Sequence, residues 1–414
     1  MIGRTNAVSK PGVELSLVVS VTSGAAVTAT KGSKAVDGTA AGGSCVLSLP
    51  EAGTWSVKAT LNGQTSDTKS VSVVDSYAVA LTFFSATITV NVDSGASVTL
   101  KKGGTTIATK TSNGTAVFTV TETGAYTVTA TKNGQTTSGS VNVVSSTTSY
   151  SLTLSFVSST LNNNEWSVIK SVSDAGQGAN YWSIGDRKAV TLNGTVGKLS
   201  LSNVTTYAFI IGFNHNASVE GANRIHFQLA KTALSGGTDV CFCDNQYGPD
   251  SGWSSPGAGY FVMNASNTNS GGWNNSYMRK TICPAFLAAL PTAWQNIIAA
   301  CTKYSDNTGG GSNTASYVTA TSDKIWLLSE MEVQGTRSYA NSAEANYQKQ
   351  YDYYRNGNSK VKYQHTATTS ACAWWLRSVY ASLTHLFCIV STGGSASYYS
   401  AYASNGFAPG FKVA

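Results

Sequence analysis

At 414 residues, 42% of them apolar, the chain is too long for one small core and suits two to four domains. Charged side chains make up only 11%, where ordinary soluble proteins carry about a quarter. The polar load falls instead on Ser, Thr, Asn, Gly and Tyr, a profile of β-rich extracellular or virion proteins. The net charge of +7 divides into 10 basic and 7 acidic residues before position 157 and 17 and 13 after it. No basic stripe emerges, so nucleic-acid binding gains no support.

Arg4 and Lys10 precede an apolar run from Leu15 to Val21, the order of a secretion signal. Ser16 and Ser20 interrupt that run, Glu14 precedes it, and a repeat explains it better. SGAAVTATKG at 23–32 matches SGASVTLKKG at 94–103, and AGTWSVKATLNGQTS at 52–66 matches TGAYTVTATKNGQTT at 123–137, both at an offset of 71. The same shift lays Leu17, Val19 and Val21 over Ile88, Val90 and Val92, the alternating inward positions of a first strand. Alternating segments such as TWSVKAT and YTVTATK, punctuated by Asn62-Gly63 and Asn133-Gly134, predict short antiparallel strands joined by type I′ hairpins. Residues 1–12 read as an N-terminal tail, and 13–84 and 85–156 as two small sandwiches that resemble bacterial immunoglobulin-like modules. Trp55 and Tyr126 share one repeat position and read as core aromatics.

A Ser/Thr-rich stretch at 145–157 closes the second module. Eight of the nine tryptophans and all four histidines lie beyond it. Asn275-Ser276 can cap a helix running towards Leu290, kinked or split at Pro284. Ser342 with Glu344 opens a segment through Asn356 that reads as an amphipathic surface helix. The rest is aromatic-rich strand and long Gly/Ser/Asn loop, which makes 157–414 one α+β domain.

Here a family resemblance becomes specific. The ordered motifs run from Trp166 through YWSIGDRKAV at Tyr181, FIIGFNHN at Phe209, NRIHFQLA, GGWNNSYMR at 271–279, DKIWLLSEMEV at 323–333 and AWWLRS at 373–378 to NGFAPGFKV at 405–413. This string resembles the lectin-like domain of gut-phage tail proteins, within the broad C-type-lectin-like and formylglycine-generating-enzyme-like group. Phe407 and Ala408 depart mildly from the terminal motif of that family. The resemblance implies a multidomain chain, two all-β immunoglobulin-like sandwiches followed by an α+β C-type-lectin-like domain. In it Trp374, Trp375 and Leu376 read as core, with Phe387, Pro409 and Phe411. Arg377 then needs buried carbonyl or carboxylate partners. His215 and Asp186 read as network and turn residues.

From Val379 to Ser404 the chain lacks Asp, Glu, Lys and Arg and is dense in Ser and Tyr. Antibody paratopes favour this mixture, and so does a plain Ser/Tyr-rich strand. Related phage proteins diversify the corresponding segment through adenines, largely in Asn codons, which never yields Lys, Glu, Gln, Met or Trp. These five types supply 51 of the 414 residues and none of the 26 positions here. Tyr380, Ser382, Leu383, His385, Leu386, Ser397, Tyr398, Tyr399 and Tyr402 are the expected ligand-binding patch.

No nucleophile elbow, phosphate loop or metalloprotease motif is found, and neither Cys372 nor Cys388 has a lysine nearby in sequence, so no enzyme activity is expected. The seven cysteines read as thiols rather than a disulfide framework, and Cys241-x-Cys243 is an unsupported metal pair, so no metal or cofactor is expected. No apolar stretch approaches the length of a membrane span. The chain reads as a phage tail fibre, located in the virion and made in the host cytoplasm, that binds a host surface receptor, glycan or protein. Its other partners are tail proteins and copies of itself, a trimer being the expectation. The alternatives are a virion decoration or baseplate component, or a bacterial surface adhesin.

Overall fold

The computed structural model describes residues 15–231, 260–364 and 370–414, and its backbone contacts divide the chain into two compact units, 1–156 and 157–414. Arg4, Lys10, Cys241 and Cys243 lie outside the described residues.

Within the first unit the repeat becomes two sandwiches. In the first, Ser16–Ser20 lies between Ser44–Ser48 and Ser76–Ala80, facing a sheet of Lys34–Thr39, Ala26–Lys31 and Gly53–Leu61, with Gln64–Thr65 and Lys69–Val73 along the last strand. In the second, Ala86–Asn91 lies between Thr115–Val120 and Ser149–Thr153, facing Thr105–Thr111, Ser97–Lys102, Gly124–Lys132 and Gln135–Val143. Period-two alternation explains the faces. Trp55, Val57 and Ala59 point into one core, and Tyr126, Val128 and Ala130 into the other. The two aromatics even satisfy themselves alike, since Trp55 Nε1 donates to the Glu51 carbonyl at 3.2 Å and Tyr126 Oη to the Glu122 carbonyl at 2.9 Å. At the hairpins, Asn62 and Gly63 take φ of 49° and 80°, and Asn133 and Gly134 take 50° and 80°. Two successive left-handed residues are what a type I′ turn requires. The expectation of a purely antiparallel sandwich needs one correction. In each module the first strand pairs parallel with the last. The last strand arrives by crossing from the opposite sheet, and a crossover, unlike a hairpin, can deliver a parallel neighbour.

The second unit is α+β. Its main sheet runs Arg187–Val196, Leu199–Phe213, Ile225–Lys231, Gly410–Val413, Ile298–Ala299, all antiparallel. The helix Trp166–Asp174 buries Trp166, Ile169 and Val172, and Trp166 packs edge-on against Trp294 and Phe227. A three-stranded sheet, Trp374–Val379, Leu386–Val390 and Ala396–Ser400, carries most of the charge-free segment, and Cys301–Asp306 pairs antiparallel with Val318–Asp323. Trp374, Trp375, Phe387, Pro409 and Phe411 are all buried. Gly410 permits the closing strand, since a Cβ there would sit 2.9 Å from Trp326 Nε1.

The two expected helices fare differently. Ser276 does cap a helical run, accepting from the Arg279 N–H at 3.1 Å. That run is a π-turn, Met278–Ile282, followed directly by Cys283–Ala289, with Pro284 just after the π-turn. The segment 342–356 is no surface helix. It holds a short 3-10 turn, Ser342–Asn346, and one helical turn, Asp352–Arg355, while Glu344, Tyr351, Tyr353 and Tyr354 are buried. The spacing of the tyrosines imitated a helical period, but the rings fill the main core.

Candidate binding surface

Strand alternation sorts the predicted patch. Leu386–Val390 is the central strand, buried on both faces, so Leu386, at 3% exposure, leaves the candidate surface. The neighbouring strand pairs Tyr398 with Cys388, Tyr399 with Phe387 and Ser397 with Ile389. Successive side chains point to opposite faces. Tyr398 is therefore presented outwards at 39% exposure, while half-buried Tyr399 packs against the core from the other face with Ser397 beside it. Ser382 and Leu383 stand exposed on the loop after Val379, and Tyr380, His385 and Tyr402 are half-buried.

What the structure brings together is a tyrosine cluster. Tyr380 and Tyr398 stack with ring centroids 4.7 Å apart and 11° between planes. Tyr339, half-buried, meets both edge-on, at 5.5 Å and 4.9 Å. Offset and edge-to-face contacts of this kind suit the ring quadrupole and fix the rings without any charge.

The loop beneath is held from outside the segment. Buried Asn269 donates from its side chain to the carbonyls of Leu383 at 2.7 Å, Leu386 at 3.1 Å and Tyr380 at 3.4 Å. Its own N–H donates to the Thr384 carbonyl, and its Oδ1 accepts from Gly310. The glycine-rich turn 309–311 can approach this closely because a Cβ at Gly309 would fall 2.0 Å from the Asn269 carbonyl oxygen. On the other side the Ala381 N–H donates to the Tyr339 carbonyl at 3.0 Å. Gln334 reaches the Gly394 carbonyl at 3.2 Å and accepts from Lys360, which steadies the next hairpin.

A second cluster lies wholly inside. Arg377 grips Glu332 with both terminal nitrogens, donates through Nε to Ser305 Oγ at 2.9 Å, and reaches the Leu327 carbonyl. Lys303 Nζ touches Glu220 at 2.8 Å, Glu332 at 3.0 Å and Tyr351 Oη at 2.9 Å. His226 Nδ1 lies 3.0 Å from the same Tyr351 hydroxyl, and the His215 ring stacks on Tyr351 at 3.7 Å. Burial would raise the Glu332 carboxyl, but Arg377 and Lys303 outweigh it and hold it ionised. Burial pushes His215 down to about 3, so that ring is neutral at ordinary pH. Ligand atoms of His215, Glu220 and Glu332 come within 4.8 Å of one another, a metal-like grouping. Lys303 already supplies a cation to both of these carboxylates, and with Arg377 it balances them two against two. The arrangement reads as a buried structural network.

Three comparisons with known proteins bear on the chain. Residues 260–414 match the family model DUF6273, described as a domain of unknown function. No curated protein matches. Among solved structures, the minor pilin of Streptococcus agalactiae is 11% identical with a TM-score of 0.24, over 35% of this chain and 97% of that one. A putative adhesin from Bacteroides ovatus is 10% identical with a TM-score of 0.21, over 34% and 88%. A streptococcal ancillary pilin is 11% identical with a TM-score of 0.18, over 36% and 64%. Likenesses this slight carry no functional argument.

The stretch matching the family model contains every residue of the tyrosine cluster and both sides of its support. Of the expected patch, the structure brings the rings of Tyr380 and Tyr398 together, and the buried carbonyl or carboxylate partners expected for Arg377 are the Leu327 carbonyl and Glu332. Sequence reasoning missed Tyr339 and Asn269, whose partners in and around Tyr380 to Leu386 and Tyr398 lie far along the chain. Asp186 is a turn residue as expected, accepting from the Ser183 N–H at 2.9 Å.

Proposed function

We propose that this chain is a recognition protein of a phage tail fibre, whose 157–414 unit, C-type-lectin-like in its motifs, binds a bacterial surface receptor. The observation that carries this reading is the Tyr380–Tyr398 stack, set in a 26-residue segment without Asp, Glu, Lys or Arg. Rigid aromatic area beside Ser, Thr and Gly gives contact at low entropic cost, which suits recognition more than catalysis. The two β-modules act as a spacer. Copies associate, a trimer being the expected form, because weak single sites gain avidity when several are displayed together.

Fluorescent full-length protein applied to a panel of intact Gram-negative and Gram-positive cells tests this, with cell-bound signal read by flow cytometry. The reading expects strain-selective binding that Tyr398→Ala lowers at least about tenfold with the unfolding midpoint unchanged, since Tyr398 is exposed and its loss opens no cavity. Periodate treatment of the cells removes binding to a glycan, and protease treatment removes binding to a protein. Binding to no strain, or full binding by Tyr398→Ala, counts against the surface. The gene offers an independent check. A near-copy of the DNA encoding 379–404 elsewhere in the locus, differing mainly at adenines, supports a diversified segment, and its absence speaks against one.

A further inference from the structure

We infer that the recognition surface extends beyond 379–404 to Tyr339, and that the buried carboxylate of Glu330 is the residue that positions it. The inference rests on reading the tyrosine cluster as the binding face.

Glu330 is fully buried. Its oxygens accept from three successive backbone N–H groups: Ser338 at 2.8 Å, Tyr339 at 3.2 and 3.0 Å, and Ala340 at 2.7 Å. Among the described residues its oxygens are met by this backbone nest and by no cation at ion-pair distance. Burying a carboxylate is costly unless its hydrogen bonds are complete, and filling space alone would be served by an apolar side chain. What these hydrogen bonds do is fix the backbone of three consecutive residues, and the middle one is Tyr339.

Tyr339 is then tied at every group that matters. Its N–H goes to Glu330, its carbonyl accepts from Ala381, and its ring closes on Tyr380 and Tyr398 together. The carbonyl bond joins it to the loop that Asn269 holds from the opposite side. A free Tyr380–Tyr398 pair would sample several rotamers and lose that freedom on binding. Held by Tyr339, it is already arranged, so affinity depends on a residue that lies 40 positions or more from the segment in sequence.

The same cell-binding assay separates the possibilities, using the full chain and intact cells of a strain that the wild type binds. Tyr339→Ala and Glu330→Gln should each weaken binding about tenfold or more. Both should lose the near-ultraviolet circular-dichroism signal of the stacked tyrosines. Tyr339→Phe should restore much of the binding that Tyr339→Ala loses, because the edge contacts use the ring. Should Glu330→Gln fail to fold, Tyr339→Ala still decides, since its half-buried ring belongs to the surface cluster. If Tyr398→Ala abolishes binding while Tyr339→Ala and folded Glu330→Gln bind as wild type, this inference is overturned and the surface reading survives. A Glu330→Gln variant with only a lowered unfolding midpoint and full affinity below it would make Glu330 merely structural, and overturns its positioning role. Full binding by Tyr398→Ala removes the surface reading and this inference with it.

Discussion

Arg377 sits at zero exposure, and its guanidinium is matched to Glu332 in a two-pronged contact that a lysine could not copy. Removing one partner of such a pair leaves the other charge buried and uncompensated. Arg377→Ala is expected to cost about 3–5 kcal/mol in urea unfolding, the range for breaking a buried pair. A loss below about 1 kcal/mol would mean that Lys303 alone suffices for Glu332. Glu344 makes a different point. It accepts from the Asp306 N–H at 2.9 Å, Ser378 Oγ at 2.6 Å and Gln348 Nε2 at 3.2 Å, yet burial outweighs these donors and pushes its carboxyl up to about 7. A folded-state value above the ordinary 4.5 means that the native protein holds this proton after the unfolded chain has released it. Its contribution to stability is complete below pH 4.5 and falls as pH rises to about 7, by roughly 1.4 kcal/mol per unit. Relative to wild type, Glu344→Gln should therefore gain stability between pH 5 and 7. Parallel unfolding curves for the two proteins across that window would refute the assignment.

At the scale of elements, the modules were legible because period-two alternation and the Asn-Gly turns state the same strand boundaries twice, once per repeat. The turn chemistry carries its own prediction. Gly134 has φ of 80°, where a Cβ meets no neighbour but the backbone itself is strained. Gly134→Ala should cost about 1–2 kcal/mol in the unfolding of the second module, through the left-handed conformation alone. No measurable loss would mean that the turn relaxes to another type. Less of the second unit was legible. The segment 342–356 offered apolar and acidic residues at helical spacing, and nothing local reveals that Tyr351 must reach Lys303 and His226 inside the core. Tyr339 was invisible for a related reason. Its neighbours Tyr380, just after the strand Trp374–Val379, and Tyr398, within Ala396–Ser400, lie far along the chain, and its backbone is fixed by a carboxylate nine residues earlier whose partners are N–H groups, which leave no mark in sequence.

For the whole molecule, most buried apolar residues among the described ones fall into three clusters that share no member, one in each module and one in 157–414. A unit that completes its own core should fold without the rest. The tyrosine cluster, Asn269 and Glu330 all belong to 157–414. Residues 157–414 expressed alone are thus expected to unfold in calorimetry within about 2 °C of the corresponding transition in the full chain, a shift worth less than about 1 kcal/mol for a domain of this size. The fragment should also show the same near-ultraviolet tyrosine signal and the same selectivity among bacterial strains. If the modules serve as spacer, removing them changes how far the face is carried and leaves what it recognises untouched. A fragment that unfolds many degrees lower, or keeps its fold while losing selectivity, would show that the modules help to build the site, and the spacer reading would fall.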